Sequence, residues 1–294
     1  MREPVFTGVC TALVTPMDPG GVNYDGLLEL LQRQIDGGVD AVCVCGTTGE
    51  AATLRDEEKY EIIARTVRFC KGRIKVIAGT GSNDTAHAVA LSRMADAMGV
   101  DGVLAVTPYY NKATPSGLTA HFTAIADAVE CPVILYNVPS RTGVNIPPET
   151  YGELRGHPRV QGVKEASGDM AYAARILAEA GEDFFLWSGN DDLTVPLLSL
   201  GAKGVISVLS NLCPEEVCAM TTACRQGEYD DAAKAQLSLM DLIGALFSEV
   251  NPIPVKTAMN LLGMEVGQAR LPLCQMAPSA LEQLKKALRA HKML

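Results

Sequence analysis

The sequence is short of positive charge. Lys and Arg number 25 against 34 Asp and Glu, giving a formal charge of −9 over 294 residues. A chain this acidic lacks the electrostatic footprint of a nucleic-acid binder, and no basic stripe offers itself to an anionic membrane. Small anionic substrates stay open, because one local Arg or Lys can hold a carboxylate against an acidic average. Apolar runs are also short. Gly, Pro or a charge breaks each of them before the roughly 18 residues a membrane helix needs, so no transmembrane segment is expected. The opening Met1-Arg-Glu-Pro-Val-Phe6 has no charged segment followed by an apolar core, so no signal peptide is expected either.

Several chemical signatures are missing as well. The four His (His87, His121, His157 and His291) have no metal-ligand spacing. Cys43-x-Cys45 has one residue between its thiols and no His nearby, which does not suit zinc. No metal is expected. The nine Cys are odd in number and scattered without a secretory signal, which predicts reduced, buried thiols in the cytoplasm. There is no G-x-S-x-G nucleophile elbow and no G-x-x-x-x-G-K-[ST] loop, and Gly79-Thr-Gly81-Ser-Asn-Asp84 lacks the third Gly of a dinucleotide fingerprint.

What is present is an ordinary globular composition, 48% hydrophobic and 20% charged, which excludes a disordered chain. The length suits about two domains or one large α/β barrel. Short apolar runs alternate with helical patterns. The runs are Val5–Pro16, Ala41–Thr47, Lys75–Gly81, Gly102–Pro108, Cys131–Asn137, Val160–Ala166, Phe184–Asn190 and Gly204–Val208. Most are apolar throughout rather than alternating, as in parallel strands covered on both faces.

Between the runs, Tyr24, Leu27, Leu28, Leu31 and Ile35 make one helical stripe. Thr53-Leu-Arg-Asp56 resembles a capping box opening a helix over Glu57–Cys70. Further helices are expected over Asp84–Met98, Ser116–Val129, Pro147–Gly156, Asp169–Ala180, Asp191–Leu200 and Pro214–Arg225. Eight strand–helix pairs predict an α/β fold, a closed (β/α)8 TIM barrel over residues 1–225. An open doubly wound sheet is the competing arrangement, but it lacks its phosphate loop. Residues 226–294 carry no strand signal and predict an all-α appendage of three helices, Tyr229–Val250, Pro254–Leu262 and Ser279–Ala290.

Active sites of such barrels lie at the C-terminal ends of the strands. There, Lys164 interrupts an apolar run. An ammonium facing a barrel interior is costly unless paired or neutral, and a desolvated lysine supplies the free amine that attacks a carbonyl to form a Schiff base. It can equally be structural, paired with Glu165 or reaching out to solvent from the strand end. Tyr136 ends the preceding run. It can shuttle a proton through the hydroxyls of Thr47, Thr48 and Tyr110, or simply fill space. The Thr47-Thr48-Gly49 turn can present a hydroxyl and backbone N–H groups to a carboxylate. Arg141, in a Pro-Ser-Arg-Thr-Gly loop, either grips a carboxylate with its planar fork or makes a surface ion pair.

Taken together, Gly46-Thr-Thr-Gly-Glu50, Thr107-Pro-Tyr-Tyr-Asn111, Tyr136-Asn-Val-Pro-Ser-Arg-Thr-Gly143, Gly162-Val-Lys-Glu-Ala-Ser-Gly168 and Asn251-Pro-Ile-Pro-Val-Lys256 resemble the 4-hydroxy-tetrahydrodipicolinate (dihydrodipicolinate) synthase family. The resemblance spans essentially the whole chain and favours this branch of the pyruvate-dependent class I aldolases over the N-acetylneuraminate lyase branch. It implies condensation of pyruvate with L-aspartate 4-semialdehyde, in lysine and diaminopimelate biosynthesis, with no cofactor. It implies a Schiff base on Lys164, proton transfer by Tyr136, Thr47 and Tyr110, and contacts of Thr48 and the Ile206 backbone with pyruvate. Gly189 would line the pocket and Arg141 would hold the second substrate's carboxylate.

The resemblance also implies that Tyr110 reaches a neighbouring subunit's site within a homotetramer, a dimer of dimers. It further implies a lysine effector cleft at Ala52, Asp56, Asn83, His87 and Tyr109, flanked by Ala51 and Lys59. His87 stands there in place of a Glu that would grip the effector's ammonium, so weak or absent lysine inhibition is expected. Two other readings compete: a related aldolase acting on a sugar acid or another hydroxy-keto acid, and a barrel that kept the fold without the chemistry.

Overall fold

The continuous apolar runs become eight parallel strands, each covered by helices outside and by the barrel's own side chains inside. A computed structural model describes residues 2–294. Strand β1 (Gly8–Ala12) is followed by a small hairpin, β2 (Met17–Asp18) and β3 (Gly21–Val22), turned at Pro19-Gly20. Then come α1 (Tyr24–Asp36), β4 (Ala41–Val44), α2 (Asp56–Cys70), β5 (Lys75–Gly79), α3 (Thr85–Ala97), β6 (Gly102–Val106) and α4 (Pro115–Ala126). The second half holds β7 (Val133–Asn137), a helical turn α5 (Pro139–Thr142), α6 (Pro148–Leu154), β8 (Val160–Glu165), α7 (Met170–Ala180), β9 (Phe185–Ser188), α8 (Thr194–Ser199), β10 (Gly204–Ser207) and α9 (Pro214–Arg225). The sheet closes in the order β1-β10-β9-β8-β7-β6-β5-β4, with β4 back on β1. The chain is a (β/α)8 barrel, and the open-sheet alternative falls. No helix among the described residues is long and apolar enough to cross a membrane.

The barrel interior is a small apolar cluster of its own. Phe6, Cys10, Cys43, Ile77, Leu104, Ile134, Phe185, Trp187 and Ile206 all belong to it, distinct from the larger core between strands and helices. Phe6 stacks on Trp187 at 5.2 Å between ring centroids, and the Trp187 indole N–H donates to the Phe6 carbonyl at 3.2 Å. This aromatic pair plugs the N-terminal end, so any opening in the barrel lies at the other.

The C-terminal tail forms four helices, α10 (Tyr229–Ser238), α11 (Met240–Leu246), α12 (Ile253–Leu261) and α13 (Pro278–Ala290), where three were expected. The expected Tyr229–Val250 helix breaks at Leu239. There the buried Gln236 turns its amide to the Asp191 carbonyl and the Val195 N–H, and the Ser238 hydroxyl donates back to Ala235, competing with a continuous ladder. The expected capping box is also misplaced by two residues. Arg55 is the N-cap, and the Glu58 carboxylate accepts its backbone N–H at 2.9 Å, while Thr53 turns back to the Glu50 carbonyl.

Two ion pairs fasten this tail to the barrel mouth. Lys256 on α12 donates to Glu50 at 2.8 Å and to the carbonyls of Thr15 and Gln268, both at 3.1 Å. The paired side chains are only 2% and 1% exposed. Burial pulls the Lys256 pKa down, against the opposing pull of Glu50. Arg270 grips Glu58 with both terminal nitrogens, at 2.6 and 2.8 Å, which holds that carboxyl down at about 2. Removing one partner of a sealed ion pair strands the other. Lys256→Met is therefore expected to lower the unfolding free energy by about 3–5 kcal/mol, with Glu50→Gln added to it restoring part of the loss. Urea unfolding monitored by circular dichroism checks this, and a loss below about 1 kcal/mol would show that the pair is not the fastener.

Candidate active site

Side chains alternate along a strand, so neighbours in sequence face opposite sides. On β8, Lys164 shares a register row with Tyr136 on β7 and Trp187 on β9, both part of the barrel interior. Glu165 falls in the next row with Asn137 and Ser188, on the outer face. It accepts hydrogen bonds from the Asn137 amide at 2.8 Å and the Ser167 N–H at 2.5 Å. Desolvation raises the Glu165 pKa, with those two donors pulling it back. The Lys164–Glu165 pair left open by the sequence therefore does not form.

Lys164 instead points into the interior at the lip of the barrel, 6% exposed, and it makes no ion pair among the described residues. Its Nζ sits 4.4 Å from the centroid of the Tyr136 ring, a cation–π contact. Beneath it the Cys10 and Cys43 thiols are pushed up by burial, Cys43 to about 11, so neither supplies it with an anion. Ile206, on β10, belongs to the same interior cluster as Tyr136.

The loops around this lip are built to stay put. Asp191 is buried and accepts from the Ser207 hydroxyl at 2.5 Å and from the Val208 and Leu209 N–H groups at 3.0 and 3.1 Å, fixing the chain just after Ile206. Burial raises the Asp191 pKa while these donors oppose it. Gly189 follows β9 so closely that a Cβ there would lie 2.6 Å from Ala166 Cβ and 2.9 Å from the Glu165 carbonyl. Only glycine keeps that wall in place.

Thr47 and Thr48 lie in the turn after β4, and neither backbone N–H finds an acceptor among the described residues. Thr48 is tied to the tail by the Asn251 amide, 3.0 Å from its hydroxyl oxygen. Arg141 sits on α5, and its guanidinium donates to the Asn251 carbonyl at 3.2 Å rather than to a surface acid. Tyr110 stands apart. It is 91% exposed, with φ +71°, a conformation a bulky residue rarely holds, and it joins neither Thr47 nor Tyr136 within its own chain.

Of the residues named for an effector cleft, the structure joins His87, Asp56 and Lys59. His87 lies 3.0 Å from the Asp56 carboxylate, whose other oxygen meets Lys59 at 3.2 Å, and the His87 contact leads in lowering the Asp56 pKa. The Asn83 carbonyl accepts from Asn111 at 2.9 Å, with Tyr109 and Ala52 exposed nearby in sequence. Reading by residue type passed over Asp191, Glu50, Lys256 and Asn251. Only the Gly46–Glu50 and Asn251–Lys256 motifs signalled the last three. A surface cavity of about 700 Å³ lies at the opposite end, around Phe6, Asp40, Lys75 and Asp101.

The profile of the Dihydrodipicolinate synthetase family matches residues 5–291. A 4-hydroxy-tetrahydrodipicolinate synthase of Acetivibrio thermocellus is 49% identical over 294 residues, covering 100% of both chains. A crystal structure of dihydrodipicolinate synthase from Aquifex aeolicus superposes with a TM-score of 0.96 at 44% identity, covering 98% of this chain and 99% of that one. DHDPS from Cyanidioschyzon merolae, solved with lysine bound, does so at 0.96 and 42%, covering 99% and 100%.

Asp191 gives the first test of this geometry. Asp191→Ala orphans a buried hydroxyl and two buried N–H groups, so thermal or urea unfolding is expected to show a loss of about 2–4 kcal/mol. An unchanged stability would mean the loop after β10 does not depend on it.

Proposed function

The chain belongs to the Dihydrodipicolinate synthetase family, and from that premise we propose that it condenses pyruvate with L-aspartate 4-semialdehyde to give 4-hydroxy-tetrahydrodipicolinate. One observation carries the assignment of the chemistry to residues: a barrel-interior lysine that makes no ion pair among the described residues and faces a tyrosine ring. The Lys164 amine attacks the keto carbon of pyruvate, water leaves, and an imine forms. Loss of a methyl proton gives the enamine, with the protonated imine as electron sink, so no cofactor is needed. The enamine carbon attacks the aldehyde carbon, and the aldehyde oxygen takes a proton to become the hydroxyl. The substrate's own amine then attacks the imine carbon, closes the ring and releases Lys164.

Tyr136 moves the protons, relayed by Thr47 and by Tyr110 from a second copy of the chain. Thr48 and the Ile206 backbone hold pyruvate, Gly189 lines the pocket, and Arg141 takes the carboxylate of the second substrate. The outward Tyr110 supports a homotetramer, a dimer of dimers, in which sites are completed across an interface. The nine free cysteines support a cytoplasmic location. A sugar-acid lyase is not favoured, since the relatives near half identity carry the synthase name.

The cleft around Asp56, Asn83, His87, Tyr109 and Ala52 is a poor lysine site. The Asp56 carboxylate is already engaged by His87 and Lys59, leaving no free anion for an incoming ammonium.

Borohydride reduction with pyruvate, followed by mass mapping, is expected to leave an adduct on Lys164 that Lys164→Ala abolishes. An unlabelled Lys164 would remove the Schiff-base assignment. Tyr136→Phe is expected to slow turnover of L-aspartate 4-semialdehyde by about 10²–10⁴-fold with the fold intact, and a full-rate variant would sink the proton-transfer role. In a steady-state assay, lysine is expected to inhibit weakly or not at all; near-micromolar inhibition would overturn that reading of the cleft.

A further inference from the structure

Two hydrogen bonds meet at Asn251, and they leave a third polar atom with none. The side-chain Nδ2 donates to Thr48 Oγ1 at 3.0 Å. The main-chain carbonyl accepts from Arg141 Nη2 at 3.2 Å. Oδ1 is buried without a partner, in a residue only 6% exposed. The residue therefore touches both anion-binding candidates at once, from a tail 203 positions away from Thr48.

A threonine hydroxyl has one proton and two lone pairs. Asn251 occupies a lone pair, and no group among the described residues accepts the proton. The Thr48 backbone N–H has no acceptor among the described residues either. Both donors are thus left for something brought in from outside, and what takes two donors without offering one is an anion such as a carboxylate. We propose that Asn251 is a positioning residue that makes Thr48 an obligate donor to the pyruvate carboxylate. This rests on the reading that Thr48 meets pyruvate. Asparagine rather than aspartate is needed at this position. A carboxylate would accept the Thr48 proton, reverse the hydroxyl and repel the incoming acid, whereas the Arg141 contact, made to the main chain, does not depend on the side chain.

The test is the pyruvate concentration that half-saturates borohydride trapping on Lys164, measured for Asn251→Ala, Thr48→Val and the double variant. Each single change is expected to raise it about tenfold, the worth of one hydrogen bond to a charged group, and the double change no more than about twofold further. Asn251→Asp, nearly isosteric, is expected to raise it at least as much as Asn251→Ala while its thermal unfolding stays cooperative. Additive singles, or an Asn251→Asp enzyme that traps pyruvate like the wild type, would overturn the proposal. A wild-type protein that traps no pyruvate on Lys164 would instead overturn the assignment of the reaction.

Discussion

Everything at the barrel mouth hangs on one ammonium and one carboxylate sealed from water. Lys256 and Glu50 meet at 2.8 Å with almost no exposure, and both bring further partners. Lys256 also binds the Thr15 and Gln268 carbonyls, and the second oxygen of Glu50 accepts the Arg270 N–H at 2.8 Å. Such a pair is worth little by itself, because desolvation consumes most of its Coulomb attraction, yet it tolerates no displacement of either partner. It fixes the loop after β4, where Glu50 holds φ +60°, against the start of α12. Thr48 stands two residues before Glu50 and Asn251 five before Lys256, so their hydrogen bond is an extension of the same clasp.

The second constraint is the two-residue period of a strand. It turns Lys164 inward and Glu165 outward, which separates an acid and a base that are neighbours in sequence. Glu165 then serves the outer wall through Asn137 and Ser167. Asn137 in turn donates to Asn145 at 2.7 Å and accepts the Ile146 N–H at 3.0 Å, which sets the path of the chain after α5, the turn that carries Arg141. A one-residue slip of β8 would bury the carboxylate inside and expose the amine outside. The apolar rows on either side forbid that slip.

How much of this could be read from residues alone follows from distance along the chain. The barrel was legible because its signal is local: short apolar runs, helical stripes and turn residues in alternation. Lys164 was legible because a cation inside an apolar run is conspicuous wherever the strand lies. Its choice between a free amine and a pair with Glu165 was not, since that needs the facing of β8. The pairing in the clasp was invisible to local rules: Glu50 and Lys256 each end a motif, but they lie 206 residues apart and nothing local joins them. Local rules failed where a tertiary partner outbid them. Gln236 found acceptors and donors on another element and broke an expected helix, and Glu58 captured Arg270 while capping α2 from Arg55 rather than Thr53.

The acidic average is compatible with the anion-binding mouth proposed for this chain. The site does not oppose the net charge of −9 with a cluster of cations. It opposes it with geometry: acids near the mouth are already engaged, Glu50 by Lys256, Asp191 by three donors and Glu165 by two. Each of those carboxylates already has donors of its own. What is left at the mouth is the Lys164 amine, the Arg141 guanidinium, and the Thr47 and Thr48 N–H groups, which have no acceptor among the described residues. In a site screened from water, such fixed dipoles act on a carboxylate far more strongly than distant surface charges do. On the proposed reading, local donor orientation rather than overall charge decides which ligands the mouth admits.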